Sequence, residues 1–596
     1  MNKINDFVVL FANINGSGSA SANNLFAKAV FNLGVPVSAK NIFPSNIQGL
    51  PTWFEVRISE KGYLGRREGY DFVVATNGQT LDKDYNELTS GGYFFYDSSR
   101  LLPSHLKRED ITEIGIPLTK ICNENYTNPR LRQIFKNIIY VGALAYLFDM
   151  DFSVFEESIK SQFAQKAKLI GPNINALKLG YDFAKENYSD TCELNIHRRD
   201  LVGDKIMIEG NAATGLGAVF AGVTVAGWYP ITPSTSVIEA FEKYCKKYRV
   251  DKETGKNKFA IVQAEDELAA IGIVIGAAWN GARSFTATSG PGVSLMSEFL
   301  GLAYFAEVPV FLVDIQRSGP STGMPTRTQQ SDIISSAYAS HGDTKNVLLF
   351  PSSPTECFDM TIQGMDLSER LQTPVIMMSD LDLGMNTHMS DPIKWDDDYE
   401  WDRGKVLDFE DLEQKKERWG RYLDVDGDGI PYRTIPGTHP TKGAFFTRGS
   451  SHDEYAVYTE DGKVYEKGMI RLLKKWDTAK TIVPMAEIKI NDNEVGIIYY
   501  GTSSYAAKEA DDLLKEQLVN VDEMRIKAFP FGPEVEDFVN SHKTIFVIEQ
   551  NRDAQMKTLL VNELQVNPNR LKEVLNIDGM PITAQFIVDE ILKVTK

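Results

Sequence analysis

Cysteine is scarce in this chain. Cys122, Cys192, Cys245 and Cys357 stand far apart in 596 residues, so there is no C-x-x-C pair, no zinc knuckle and no run able to ligate an iron–sulfur cluster. Long apolar runs are also missing: no window approaches the roughly 18 unbroken apolar residues of a membrane span. The mean hydropathy of -0.24 is that of a globular chain. The first residues hold one lysine and a short apolar run from Phe7, too little for a signal-peptide core, so a cytoplasmic location is expected. Positive charge is in deficit, with 63 basic against 81 acidic side chains and a formal net charge of -18. That balance disfavours a dedicated nucleic-acid binder, which needs clustered cations for phosphate contacts. Internal repeats and low-complexity tracts are absent as well.

What is present reads as α/β. At about 100–200 residues per domain the length allows roughly three to six folded units, and three is the working number. Phe7–Phe11 is a buried-type strand running into Gly16-Ser-Gly18 and an apolar-periodic helix over Ala20–Leu33. Further strands at Tyr70–Thr76 and Gly92–Tyr96, with helices near 134–148 and 153–167, carry this region to about residue 190. A polar connector follows. A second unit alternates strands at Phe259–Gln263, Ser284–Thr288, Val308–Ile315, Val347–Phe350 and Val375–Ser379 with helices, which predicts a mostly parallel sheet. Residues 392–480, rich in Asp, Trp, Gly and Pro, read as an irregular insertion. A third unit contains the strand Val495–Tyr500, a helix at Tyr505–Leu518, the strand Thr544–Glu549 and a final helix at Ala584–Leu592.

Four strand ends carry chemistry. Tyr229-Pro-Ile-Thr-Pro-Ser-Thr235 has prolines on both sides of Thr232, which fix an extended segment and present that threonine rigidly, with Ser234 or Thr235 free to cap the next helix. Phe259–Gln263 delivers Glu265, Asp266 and Glu267 to the start of an apolar helix, where they suit the helix dipole and where desolvation could turn one into a proton donor. Thr288-Ser-Gly-Pro-Gly292 is a glycine–proline turn into another helix, and Arg317 ends the strand before Ser318-Gly-Pro-Ser-Thr-Gly323. Parallel topology sends all four loops to one edge of one sheet, the edge where open α/β sheets bind ligands. The first turn, Gly16-Ser-Gly-Ser-Ala-Ser21, lacks the third glycine and the later acid of a dinucleotide fingerprint, so it carries no ligand assignment.

These four segments, in this order, resemble the α subunit of the 2-oxoacid:ferredoxin oxidoreductases, most of all the 2-oxoglutarate type with a γ-like domain fused ahead. The resemblance extends from the glycine turn and Ile42-Phe-Pro-Ser-Asn-Ile-Gln-Gly49 to Asp426-Gly-Asp-Gly-Ile-Pro-Tyr-Arg433, Phe529-Pro-Phe-Gly532 and Val547-Ile-Glu-Gln-Asn551. It implies a γ-like α/β domain over 1–190, a linker at 191–204, a thiamine-diphosphate pyrimidine-binding domain over 205–391, the insertion at 392–480 and a transketolase C-terminal-like domain over 481–596. By the same resemblance Glu265 exchanges a proton with N1′ of thiamine diphosphate, Thr232 contacts substrate and Arg317 pairs with its 1-carboxylate. Tyr229, Pro230, Ile231 and Ser289 complete the cofactor contacts, and Arg327 is the candidate for a second carboxylate.

Enzymes of this cofactor class hold the diphosphate and Mg²⁺ through a GDG followed by asparagine. Here Gly427-Asp-Gly429 has no asparagine until Asn491, so the diphosphate site, the Mg²⁺ and a [4Fe–4S] cluster are expected on a separate β subunit, with coenzyme A as co-substrate, ferredoxin as acceptor and an αβ or (αβ)2 assembly. No metal ligand is assigned to this chain. Asp424-Val-Asp-Gly-Asp-Gly429 matches half a calcium loop but has Ile435 at its twelfth position, leaving an Asx/Gly turn or a structural cation. The alternatives are the same chemistry on pyruvate or a branched-chain oxoacid, a transketolase-like enzyme, which would need the missing diphosphate motif, and a non-catalytic scaffold.

Overall fold

The computed structural model describes residues 3–45, 49–445 and 448–595. Asn46, Ile47 and Gln48, inside a segment quoted above, lie outside the described residues. The chain forms two compact units. One comprises Met1–Met207, Asn386–Asp391 and Thr583–Gln585, and the other comprises Ile208–Met385, Pro392–Ile582 and Phe586–Lys596.

In the first unit, β1 (Asp6–Ile14) is buried along Phe7–Ala12 and lies inside a six-stranded sheet. With β2 (Val37–Ile42), β3 (Pro51–Ser59), β4 (Tyr70–Ala75), β5 (Leu88–Asp97) and β6 (Thr112–Ile116), the order is β2-β3-β1-β4-β5-β6. β3 runs antiparallel to both its neighbours, and the remaining pairs are parallel. β2 and β3 were not expected, because their buried positions include Lys40, Glu55 and Arg57. Glu55 sits 3.4 Å from Arg66 and close to the charges of Lys40 and Arg57, so matched charge replaces the usual apolar alternation. The helices α1 (Ser19–Asn32), α2 (Pro129–Leu147), α3 (Phe152–Gln162) and α4 (Ile170–Asn187) supply most of the rest of this core. α2 and α4 touch so closely that a Cβ on Gly142 would lie 1.8 Å from the Leu177 carbonyl oxygen.

The second unit is built on two sheets. The larger contains β7 (Val225–Trp228), β8 (Ala260–Gln263), β9 (Ser284–Thr288), β10 (Val310–Gln316), β11 (Val347–Leu349), β12 (Pro374–Asp380) and β16 (Ala528–Phe529), in the order β8-β7-β9-β10-β12-β11-β16. All its pairs are parallel except β11 with β16. Both faces are covered by helices, among them α5 (Gly210–Phe220), α6 (Thr235–Tyr248), α7 (Glu267–Trp279), α8 (Gly290–Ala306) and α9 (Pro354–Leu371), which is why its central strands are continuous apolar runs. The smaller sheet is β13-β15-β14-β17-β18, from β13 (Glu487–Lys489), β14 (Val495–Tyr500), β15 (Asp522–Ile526), β17 (Thr544–Glu549) and β18 (Leu571–Leu575).

The segment read as irregular contains one long helix, α10 (Gly462–Ala479). Its apolar face is narrow: Leu472, Trp476 and Ala479 are buried among charged residues, and Asp461 caps the start. Lys475, also buried, meets Glu307 at 2.8 Å. Glu307 has no exposed surface and also receives both Nη atoms of Arg471, one at 3.1 Å. Burial alone would raise the Glu307 pKa, but Arg471, Lys475 and Arg421 outweigh it and hold the carboxyl down to about 2. Removing one member of a buried charge cluster leaves the others uncompensated and costs about 3–5 kcal/mol. Glu307→Gln is therefore expected to lose about that much in urea unfolding at neutral pH. Since the folded pKa lies below the ordinary 4.5, the carboxylate's contribution is complete above pH about 4.5 and vanishes as the pH falls towards about 2. The gap between wild type and variant should narrow over that window, and a gap independent of pH would remove the assignment.

Candidate functional site

β8, β7, β9 and β10 are adjacent and parallel, so their carboxyl ends share one edge. The loops bearing Thr232, Glu265, Ser289 and Arg317 leave from that edge, as the sequence implied.

After β7 the chain exposes Tyr229, Pro230 and Thr232, with Ile231 half-buried and the Thr232–Pro233 peptide cis. Asn211 of α5, fully buried, donates to the Pro233 carbonyl at 2.9 Å and fixes the loop. Ser234 and Thr235 do not cap α6, contrary to expectation. Ser234 holds the N-cap position without a side-chain cap, and both hydroxyls donate back to the Ile231 carbonyl at 3.1 and 3.3 Å.

The three acids after β8 separate into different environments. Asp266 is the N-cap of α7 and accepts from the Ala269 amide at 2.8 Å. Glu267 turns inward and is buried beside Thr288 and Gly292. Glu265 is exposed and not buried as expected of the proton donor.

The Ser-Gly-Pro-Gly turn is tight for a reason visible in its glycines. A Cβ on Gly290 would lie 2.6 Å from both carboxyl oxygens of Asp332, and one on Gly292 only 1.9 Å from the Thr288 hydroxyl. Ser289 is fully buried at the start of α8. The hydroxyls of Thr286, Thr288 and Ser289 have no hydrogen-bond partner among the described residues. Such groups are rare in folded proteins and gather where function needs them.

Arg317 ends β10 almost buried, at 8% exposure, and its Nη1 donates to the Thr232 carbonyl at 2.6 Å. The first and fourth loops are thereby joined. Its Nε has no partner among the described residues. Beside it lies Asp332, whose amide donates to the Gln316 side chain at 3.1 Å. Asp314, two strand positions before Gln316, is buried with both oxygens unpartnered among the described residues. Burial, then the neighbouring Asp332, push the Asp314 pKa well up. Burial also raises Asp332, to about 7, against the opposing pull of Arg317.

Arg317, Asp332 and Gly290 line a cavity of about 610 Å³ together with Ser318, Arg552 and Gln555. Gln555 anchors the C-terminal wall by donating to the Ser331 carbonyl at 2.6 Å and accepting from the Ile334 amide at 3.1 Å. Arg327 is not among the lining residues. It is half-buried, bonds the Thr326 carbonyl at 2.8 Å and packs against Gly579. Sequence reasoning missed Asp314, Asp332 and Arg552. An acid inside the apolar run Phe311-Leu-Val-Asp-Ile315 was the available signal for the first, and an arginine directly after Val547-Ile-Glu-Gln-Asn551 for the last.

In the Asp424–Asp428 loop, Asp424 accepts from the Gly427 amide at 2.9 Å, and lysines supply the positive charge: Lys405 reaches Asp426 and Asp428 at 2.7 and 2.8 Å, and Lys474 reaches Asp424 at 3.2 Å. Among the described residues no helix is long and apolar enough to cross a membrane.

Residues 216–464 match the family described as pyruvate flavodoxin/ferredoxin oxidoreductase, thiamine diphosphate-binding, and residues 8–183 match pyruvate ferredoxin/flavodoxin oxidoreductase. The 2-oxoglutarate synthase subunit KorA of Methanothermobacter marburgensis is 33% identical over 358 residues, covering 58% of this chain and 88% of that protein. This chain belongs to the 2-oxoacid:ferredoxin oxidoreductase α-subunit family. The likeness spans its whole length: subunit alpha of 2-oxoacid:ferredoxin oxidoreductase 2 from Aeropyrum pernix is 28% identical over 97% of this chain and 96% of its own. A 2-oxoglutarate:ferredoxin oxidoreductase structure from Magnetococcus marinus, with 2-oxoglutarate, coenzyme A and succinyl-CoA bound, superposes with a TM-score of 0.88 at 27% identity, covering 99% of both chains. The α/β class and the family expected from the motifs both hold.

For this oxidoreductase subunit the buried acids make a stability prediction. The folded pKa of Asp332 lies above its ordinary 3.8, so the stabilisation from its bound proton is complete below pH about 4 and lost as the pH rises through about 7. Asp332→Asn lacks that loss. Its melting temperature should therefore gain on the wild type across this window, and parallel pH profiles would contradict the assignment.

Proposed function

We propose that this chain is the α subunit of an enzyme that oxidatively decarboxylates 2-oxoglutarate with coenzyme A, giving succinyl-CoA and CO2, and passes the electrons to ferredoxin. Activity requires a β subunit in the cytoplasm, forming αβ or (αβ)2. The observation that carries this reading is the openness of the Glu265 edge: the one carboxylate of its turn that is neither a cap nor buried stands exposed. Tyr229, Val262, Leu268 and Leu295, on β8 and on the loop and helices that follow β7, β8 and β9, each show a third or more of their surface. An exposed apolar rim around a polar centre fits a protein interface. With no GDG-and-asparagine motif in this chain, the partner would bring the diphosphate site, Mg²⁺ and the [4Fe–4S] cluster.

The residues at the edge fit the aminopyrimidine half of thiamine diphosphate, with Tyr229, Pro230 and Ile231 along one side, Glu265 at N1′ and the buried Ser289 at the base. When bound, this cofactor supplies the nucleophilic carbon that cleaves a 2-oxoacid. The β subunit would desolvate Glu265, which then holds and returns a proton at N1′. Arg317 has used one N–H on the Thr232 carbonyl and offers the others to the substrate's 1-carboxylate, a task for a planar, bidentate cation. Thr232 borders the same point. The purified chain alone should not reduce a viologen dye, whereas the αβ complex should; dye reduction by the isolated chain would sink the proposal. In the complex, Glu265→Gln should slow deuterium exchange at the cofactor's C2 by about 10²–10⁴-fold while binding is kept.

The second carboxylate of 2-oxoglutarate needs its own cation, since an unpaired buried charge is costly. Arg552 lines the cavity and among the described residues is paired with its neighbour Asp553 at 2.7 Å, while Arg327 is not among the lining residues and packs against Gly579. We expect Arg317→Ala to abolish turnover of every oxoacid. Arg552→Ala or Arg327→Ala should raise KM for 2-oxoglutarate but not for 2-oxobutyrate, and whichever does so is the tail-reading residue. Equal effects on both substrates in both variants would move that role to the partner chain.

A further inference from the structure

A second concavity, of about 430 Å³, lies in the insertion, and its lining is strongly basic. Lys415, Lys416, Arg418, Arg421 and Lys442 face it, with Glu417 the one acid among the lining residues. In a chain of net charge -18 such a concentration has no counterpart in composition. Lys442 is committed to the protein, donating to the Leu412 carbonyl at 2.9 Å. The other four cations have no carboxylate within ion-pair distance among the described residues.

Arg421 decides the matter. It is 3% exposed, yet its Nε and Nη1 have no hydrogen-bond partner among the described residues. Only Nη2 is used, donating 2.7 Å to the backbone carbonyl of Glu307, whose carboxylate is already taken by Arg471 and Lys475. Burial pulls the Arg421 pKa below its ordinary value. Two other deeply buried arginines of this unit are matched by carboxylates: Arg283 by Asp366 at 2.5 Å and Glu369 at 2.9 Å, and Arg433 by Glu369 at 3.4 Å. Among the described residues the one carboxylate near Arg421, that of Glu307, is shared with Arg471 and Lys475, so three cations stand about a single carboxylate, a surplus of buried positive charge that a bound anion would complete. The guanidinium lies 4.9 Å from the Tyr422 ring and 5.3 Å from that of Phe445, and Trp419 stands edge-on to Phe445 at 5.9 Å. Cations beside aromatic faces suit a phosphate carried on an aromatic base.

We propose that this cavity binds a nucleotide through its phosphates, with Arg421 as the buried anchor, Lys416 and Arg418 as outer contacts, and Trp419 and Phe445 against the base. Free nucleoside polyphosphates and the nucleotide moiety of coenzyme A share this chemistry. Titration calorimetry on the full-length chain with pyrophosphate, ATP and coenzyme A separates the sources: comparable binding of all three points to free polyphosphates, and coenzyme A far tighter than ATP points to the coenzyme. In either case, binding should weaken about tenfold or more in Lys416→Ala/Arg418→Ala, whose exposed side chains leave the fold intact, and further in Arg421→Gln, checked for folding by circular dichroism. Absence of binding for all three probes at millimolar concentration, or affinities unchanged in the double variant, would overturn the proposal.

Discussion

The parallel pairing of β8, β7, β9 and β10 is the constraint on which the site depends. In a meander, alternate loops would leave from opposite edges; with every pair parallel, four segments that begin in different parts of the sequence emerge together. The bond from Arg317 to the Thr232 carbonyl, 85 residues away, then turns shared position into fixed geometry. It uses a backbone acceptor, so the guanidinium is oriented without being neutralised.

Buried charge is handled in two ways within the same unit. Glu307 with Arg471 and Lys475, and Arg283 with Asp366 and Glu369, are matched clusters that tie the insertion and α9 to the core. Asp314, Asp332 and Arg317 are not matched in this way: carboxyl oxygens, a guanidinium N–H and three nearby hydroxyls remain unpartnered among the described residues. Unmatched polarity concentrated at a strand edge is the signature of a site whose partners arrive from outside. The conformational freedom of Gly290 and Gly292 matters less here than their lack of a side chain, which lets α8 begin directly on these groups.

Much of this was legible beforehand. Every strand of the larger sheet that reads as an apolar run appears within one or two residues of its expected bounds; the central ones stand out because a strand covered on both faces needs no alternation, whereas β8, at the edge, is largely exposed. The family was legible because four motifs of unlike residues recur in a fixed order. β2 and β3 were hidden, since buried Lys40, Glu55 and Arg57 satisfy one another through space and leave no apolar pattern. α10 was hidden for a related reason: Lys475 occupies a core position that Glu307, 168 residues away, and the Gln372 carbonyl make tolerable. The division of labour among Glu265, Asp266 and Glu267 was also beyond sequence, as it depends on which carboxylate meets the Ala269 amide.

The account centres on Glu265 as half of a site that a second subunit closes. Carbodiimide labelling of carboxylates, read residue by residue by mass spectrometry, tests this directly. In the isolated chain Glu265 should label readily, while Glu307, fully buried and ion-paired, should not. With the β subunit and thiamine diphosphate added, Glu265 should become protected while exposed carboxylates away from the edge keep their reactivity. Equal labelling of Glu265 in the chain and in the assembled complex would contradict the account.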